Sequence, residues 1–533
     1  MKGAVVAPQP RACEIGACVL EAGGNAFDAA IATAFAQEID DPFMCGIGGM
    51  GTAHVVTADG RHEVIDFQAR AGSRCTPTMY LRNTRGRAAF GRATLHNDYS
   101  SELGYRSIMV PGTVAGLAEL HARHGTRPWA DLVRPAAALA RSGTWVMPHL
   151  VEFLTRRPQP GLADGRARVS ATEESRNLYL RADGTLHDVG DMIPNPGLAD
   201  TLEMIAREGG RSFYDGVLGA RIADDLEKHD AWITKDDLRG FAPRPQESVS
   251  ITYRGITVAT APPPCGGIMV LAILKILEAF DLRAMAHGSA AHLGVLARAL
   301  IEGQAGRYDL VGDPFFVPFS AETVLGADRI DPAVTRIRGA ATHDVAAPPR
   351  EHGTTHVCVM DAAGNVVSLT HTLATASGVI TPGLGFMYNN SMKLFDPDPD
   401  HPNGIRPGKA RGTAMSPSIL FRNGRPWMAV GAPGGSAIIS SVAQTISNVI
   451  DFGMSAAEAV AAPRIHAEGS AVQAEARVSA RVVDALRASG LAVEHRPYSY
   501  DPSFSRAQCL IADAGTWSGG SDPRTGSGGF AVA

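Results

Sequence analysis

The stretch Gly353-Thr354-Thr355-His356, with the run behind it, constrains this chain more than any other. His356 to Asp361 (HVCVMD) is short, apolar and β-branched, which reads as a buried strand. Ala362-Ala363-Gly364 supplies a three-residue turn in which Gly364 can take positive φ, and Asn365 to Leu373 (NVVSLTHTL) returns as a second strand. A hairpin symmetric about Ala363 sets Thr372 opposite Thr354, give or take one residue for a bulge.

That register matters if Thr354 becomes an N-terminus. A threonine hydroxyl is a weak nucleophile that needs an adjacent base. If the Gly353–Thr354 bond is cut, the freed α-amine, with an ordinary pKa of about 7.7–8.0, sits on the same residue as Oγ. It can take the Oγ proton directly or through a water. No protease is required: Thr354 Oγ can attack the Gly353 carbonyl, shift the acyl group from N to O and let water release it. Glycine at 353 leaves that strained geometry unobstructed. The dipeptide Thr354-Thr355 by itself is an ordinary way to open a buried strand, so the reading depends on what surrounds it.

The chain has 533 residues, enough for a large core, and length alone suggests about three domains. A hydrophobic content of 45% with 58 Gly and 34 Pro fits a loop-rich globular α/β protein. Net charge of −5, scattered along the chain, makes no basic face and argues against nucleic acid as a partner. The seven cysteines are odd in number and dispersed, forming neither a disulfide framework nor a zinc pattern. They read as reduced thiols in a cytoplasmic setting. The opening MKGAVVAPQPRACEIG lacks the apolar core of a signal peptide, and no run approaches the ~18–20 apolar residues of a membrane span.

Several motifs qualify that picture. Gly46-Ile-Gly-Gly-Met-Gly51 matches GxGxxG, but it follows a helix and leads into a strand over Thr52–Val56, the reverse of a dinucleotide-binding context, so no NAD is implied. His343, His352, His356 and His371 cluster in sequence without metalloprotease spacing, which favours packing roles over a metal. Residues 313–353 are rich in Pro, Ala and charge with weak periodicity, as expected of a mobile segment. The strand Trp427–Val430 feeds Gly434-Gly435, and Ser436 caps an amphipathic run over 437–450. A glycine pair at a helix N-terminus presents backbone N–H groups to an anion, which beside an N-terminal threonine is the oxyanion of a tetrahedral intermediate.

His352-Gly-Thr-Thr-His-Val-Cys-Val-Met-Asp-Ala-Ala-Gly-Asn365 resembles the processing site of the γ-glutamyltransferase family of N-terminal-nucleophile (Ntn) hydrolases. Gly23-Gly24-Asn25-Ala26-Phe27-Asp28, Val110-Pro111-Gly112, Asn389-Asn390 and Ala462-Pro463-Arg464 extend the likeness from residue 3 to the C-terminus. The resemblance implies an α/β (α+β) fold, the four-layer αββα sandwich, with a large chain 1–353 and a small chain 354–533 intertwined in it rather than three domains. It implies no cofactor and no metal. Thr354 would be the nucleophile, Thr372 its orienting hydroxyl, and Gly434 and Gly435 the oxyanion hole.

Family transpeptidases carry a carboxylate-holding arginine directly after Asp-Phe; here Gln68 stands there, with Arg70 two positions on. Arg70 either takes over that role or joins an ordinary surface ion pair. Where the family has polar or acidic holders for the substrate α-ammonium, this chain has Ala374, Ser391 (beside Asn390) and Leu394. Thr413-Ala414 replaces a serine pair, and the Pro-rich loop after Phe395 resembles acylase-like and amidohydrolase-like branches. The expectation is an autoprocessed threonine amidohydrolase that hydrolyses a small amide lacking a free α-amino group, such as a dicarboxylic monoamide or another N-acyl compound. The alternatives are a true γ-glutamyltransferase or glutathione hydrolase, and an unprocessed, catalytically dead binding homologue. The expected partners are the amide substrate and the two chains of one precursor, with a homodimer of processed heterodimers left open.

Overall fold

The computed structural model describes residues 1–533 except 82, 88–93, 97, 156–161, 342–352, 468, 470 and 514. Among the described residues two antiparallel sheets dominate. The first runs β13 (Gly529–Val532), β1 (Gly3–Ala7), β7 (Thr355–Asp361), β8 (Val366–Thr372), β2 (Met50–Val56), β3 (His62–Phe67), β4 (Arg244–Gln246). The second runs β12 (Thr516–Ser521), β11 (Gln508–Asp513), β10 (Arg425–Gly431), β9 (Ser418–Arg422), β6 (Ile256–Thr260), β5 (Val249–Tyr253).

Period-two alternation sorts the side chains into layers. On β7, Val357 and Val359 join the core against the first helical layer, while Cys358 and Met360 point between the sheets. On the facing strands, Met428, Val430 and Leu420 meet the second helical layer, and Ala429, Ile419 and Leu510 fill the space between sheets. The first layer holds α1 (Pro10–Glu21), α2 (Ala26–Asp40), α3 (Thr113–His124), α4 (Trp129–Ser142) and α5 (Pro196–Glu208). The second holds α6 (Gly267–Glu278), α7 (Ala290–Gln304) and α8 (Ala437–Phe452). The layer order is therefore helix, sheet, sheet, helix, as the family resemblance implied.

The expected mobile segment needs correction. Residues 321–338 form helices Ala321–Leu325 and Ala327–Arg338, whose Ile330, Val334 and Ile337 are buried in the second core. An interior Pro332 and a high charge density masked a helical stripe that packing makes worthwhile. Within the same stretch, residues 342–352 lie outside the described residues.

Helix α2 is the central element of the first layer. Asn25 accepts from the backbone of Phe27 and Asp28 while the Asp28 side chain accepts from Asn25 N, a reciprocal cap that starts the helix. Six alanines bring it close to the sheet, and residues 26–39 are all buried. Glu38 has both carboxylate oxygens buried without a hydrogen-bond partner, and burial holds its pKa well above the usual glutamate range. The folded state thus keeps this proton to higher pH than the unfolded chain, so stability is fullest below the ordinary glutamate pKa and falls as pH rises above it. Glu38→Met is expected to raise stability by about 1–3 kcal/mol at neutral pH, with a smaller gain at acid pH, measured by denaturant melts across pH.

Candidate active site

The register of the central hairpin runs without a bulge from Met360↔Val366 to Thr355↔His371. Gly364, at φ 99°, makes the turn, and Asp361 Oδ1 accepts from the backbone of Ala363 and Asn365. One step past the last pair, Thr354 Oγ1 donates to Thr372 Oγ1 at 3.0 Å. Thr372 Oγ1 also accepts from Ala374 N at 2.8 Å, which fixes its rotamer. Odd-numbered residues of the hairpin face α2, so Thr354 and Thr372 point between the sheets.

Thr354 is held from three sides. Its backbone N–H donates to Met44 O at 3.1 Å, and Leu373 N donates to the same carbonyl at 3.0 Å. Gly434 N donates to the Gly353 carbonyl at 3.2 Å. Between these anchors Thr354 takes φ 98°, a conformation costing a β-branched residue of order 1–3 kcal/mol. At Gly353 a Cβ would stand 1.5 Å from Ala374 O, so no side chain fits before the threonine.

The glycine turn is equally constrained. Gly434 and Gly435 take φ 130° and 61°, and a Cβ on Gly434 would lie 2.7 Å from Ser505 Cα. Ser505 Oγ donates to Pro433 O at 2.5 Å, and the Ser505 carbonyl accepts from Arg464, itself paired with Asp522 at 2.7 Å. A buried ion pair therefore buttresses the turn that faces the Gly353 carbonyl. Ser436 precedes α8 as expected, but its side chain makes no capping bond.

Thr354, Thr372, Gly353 and Gly435 line one cleft with Ala374, Arg411, Thr413, Ala414 and Ile438. Thr413 and Ala414, read from the sequence as substrate contacts, thus line the same cleft as Thr354. Arg411 was missed: it is 2% exposed, and its Nη1 donates to Gly412 O at 3.1 Å. Its only sequence signal is a cation two residues before Thr413. Arg70 and Gln68 are not among the cleft's lining residues. The Arg70 guanidinium lies 4.7 Å over the Phe241 ring, with Nε and Nη2 buried and unpartnered. Burial, with Arg244 nearby, pushes its pKa down to about 10. Among the described residues Arg70 forms no surface ion pair; its counter-charges are the nearby Asp66 and Asp313. Gln68 Nε2 donates to Thr52 Oγ1 at 2.9 Å. Asn390 spends its amide on Thr375 and Glu102 O, and Ser391 Oγ donates to Met50 Sδ at 3.3 Å.

The glycine-rich run packs at the site, since a Cβ on Gly49 would lie 2.5 Å from Thr372 O. Of the clustered histidines, His343 and His352 lie outside the described residues. His356 and His371 are fully buried, and desolvation lowers each pKa to about 3, so both are neutral. His356 contacts Thr370 Oγ1 at 2.8 Å, and His371 Nε2 contacts Gln37 Oε1 at 3.0 Å.

Two antiparallel sheets between helical layers, with a buried threonine hydroxyl at the head of a central strand, constitute an Ntn-hydrolase fold. The sequence matches the gamma-glutamyltranspeptidase family profile over residues 12–532. It is 34% identical to the Acylase ACY 1 proenzyme of Pseudomonas sp. (strain V22), covering 96% of this chain and 92% of that protein. It is 32% identical to the glutathione hydrolase proenzyme of Escherichia coli (strain K12), covering 98% and 90%. The fold superposes on the crystal structure of cephalosporin acylase from Bacillus halodurans with a TM-score of 0.86 at 28% identity, covering 99% and 95%. The chain belongs to the gamma-glutamyltranspeptidase family and is a hydrolase of amide bonds.

Replacing Thr372 by valine keeps its shape but removes the neutral hydrogen bond from Thr354 and the one accepted from Ala374 N. Thr372→Val is expected to slow self-cleavage or turnover by roughly 2- to 10-fold, with circular dichroism unchanged. Timed denaturing gels and initial rates measure it.

Proposed function

We propose that this protein cuts itself between Gly353 and Thr354 and then hydrolyses a small amide whose acyl group carries no α-ammonium. The observation that carries the first half is the strained Thr354, whose hydroxyl is paired with Thr372 while Gly434 N–H meets the carbonyl to be attacked. Oγ adds to the Gly353 carbonyl, and the oxyanion forms against Gly434 N–H. Collapse breaks the C–N bond; the nitrogen takes the proton that Oγ released, leaving an ester between Gly353 and Thr354 Oγ. Water hydrolyses the ester, freeing the Gly353 carboxylate, the hydroxyl and the α-amine. In turnover that amine is the base, Oγ attacks the substrate carbonyl, the amine component leaves protonated, and water releases the acyl group.

Cleavage would yield chains 1–353 and 354–533. The first sheet interleaves strands from both sides of the cut, with β1 paired to β7 and β8 to β2, so the chains would stay joined. Seven unpaired cysteines, six of them buried, support a reducing compartment such as the cytoplasm.

The substrate reading rests on the cleft lining. Ala374, Ala414 and Ile438 are apolar, Thr372 and Thr413 bring hydroxyls, and among these described residues no carboxylate faces the cleft. An ammonium buried there would lack an anionic partner. Arg411 supplies a cation instead, so we assign the anion-holding role foreseen for Arg70 to Arg411, for an acyl group ending in a carboxylate. The name of the Escherichia coli relative keeps γ-glutamyl hydrolysis as the competing reading.

Thr354→Ala is expected to give a single uncut, inactive band on a denaturing gel; a fragment starting at residue 354 would refute self-cleavage, and an uncut wild type would support the dead homologue. On processed wild type, glutaryl-p-nitroanilide should show the higher kcat/KM against its γ-glutamyl counterpart. Preference for the γ-glutamyl compound, enhanced by a dipeptide acceptor, restores the transpeptidase.

A further inference from the structure

On the helix-facing side of the hairpin, opposite the hydroxyl pair, lies a buried polar network that the chemistry above does not use. Thr355 and His371, the cross-strand pair immediately inside Thr354 and Thr372, both turn toward α2. There they meet Gln37, which is 0% exposed and sits one turn before the helix ends at Asp40. Gln37 Oε1 accepts from His371 Nε2 at 3.0 Å; as His371 is neutral, that nitrogen carries the ring hydrogen. Gln37 Nε2 donates to Thr355 Oγ1 at 2.9 Å and to Gln9 Oε1 at 2.8 Å, with His356 O a third acceptor at 3.2 Å. One side-chain amide therefore bridges both strands of the hairpin at the step next to the nucleophile.

The network continues to the other anchor of Thr354. Gln9 Nε2 donates to Asp41 Oδ2 at 3.0 Å, and His149 Nε2 meets Asp41 Oδ1 at 3.2 Å. Asp41 O in turn accepts from Met44 N at 2.9 Å, closing the turn whose Met44 carbonyl holds Thr354 N. After cleavage that nitrogen is the α-amine. The same connected set thus fixes the backbone that carries Oγ and the carbonyl that orients the amine.

The buried residues of α2 are mostly alanine, isoleucine and phenylalanine, with Asp28, Thr33 and Glu38 the other polar ones, and burying Gln37 and Gln9 is tolerable only because their polar atoms are paired.

We propose that Gln37, braced by Gln9 and Asp41, is a positioning residue that sets the amine-to-hydroxyl geometry of Thr354. It touches no reacting atom and acts through Thr355, His371 and the Asp41–Met44 turn. Removing it should displace the nucleophile by a fraction of an ångström without altering the cleft that receives the substrate. The effect belongs in the chemical step and in self-cleavage, not in substrate affinity.

The proposal rests on Thr354 being the nucleophile, so wild-type cleavage and turnover are the reference: an uncut wild type defeats that reading, whereas defeat of the brace alone shows only in the variants. Full-length Gln37→Met and Gln9→Met are compared with wild type for self-cleavage half-time, kcat and KM on glutaryl-p-nitroanilide, and melting temperature. Gln37→Met is expected to lower kcat by ~10- to 100-fold and slow self-cleavage comparably, with KM within about 2-fold. Gln9→Met, which removes only the outer arm, should show the same split more weakly, and it carries the test if Gln37→Met does not fold. Wild-type kcat and cleavage in the folded variants would overturn the proposal. So would a rise in KM matching the fall in kcat, or losses that follow the melting temperature alone, since these mark a merely structural role.

Discussion

The structure depends on the clamp around one peptide unit. The Gly353 carbonyl is tied to Gly434 N–H, the Thr354 N–H to Met44 O, and the Thr354 hydroxyl to Thr372, each contact coming from a different part of the chain. A β-branched residue at φ 98° persists only where its surroundings over-determine it. Under the proposed self-cleavage, the Gly434 N–H is already aimed at the carbonyl to be attacked, so stored strain and electrostatic preorganisation would act on the same bond.

Every anchor of that clamp rests on something rigid. Met44 follows α2, a helix buried from residue 26 through 39; Gly434 is buttressed by Ser505 and the Arg464–Asp522 pair. Thr372 lies on β8, hydrogen-bonded on both sides by β7 and β2. Small residues make this closeness feasible, since Gly49 and Gly353 sit where any Cβ would strike a main-chain oxygen. Sites built on paired strands and helix ends hold reacting atoms more tightly than sites on loops.

How much of the site was legible differs by element. The Thr354–Thr372 pairing followed from counting across a short hairpin, because an antiparallel register is set locally by the turn. The glycine pair after β10 was legible because strand–glycine–helix geometry presents N–H groups wherever it occurs. The cation was not. Arg70 is near Gln68, where a family motif directs attention, but its guanidinium settles over Phe241, and Arg411 reaches the cleft instead. Residues 321–338 were misjudged for a related reason: their helix is stabilised by burial in the second core rather than by propensity.

By itself the sequence determined the hairpin and the glycine before the threonine, since each follows from steric and hydrogen-bonding rules acting over a few residues, whereas the layered class of fold came from the family resemblance. Only the tertiary structure decided which side chains converge on Thr354. Gln9, Gln37, Asp41 and Arg411 carry no local pattern that marks them, and they come together around the Thr354 hairpin only once helix, hairpin and loop are packed. Long-range convergence of this kind depends on how whole elements stack, and side-chain spacing along the chain does not encode it.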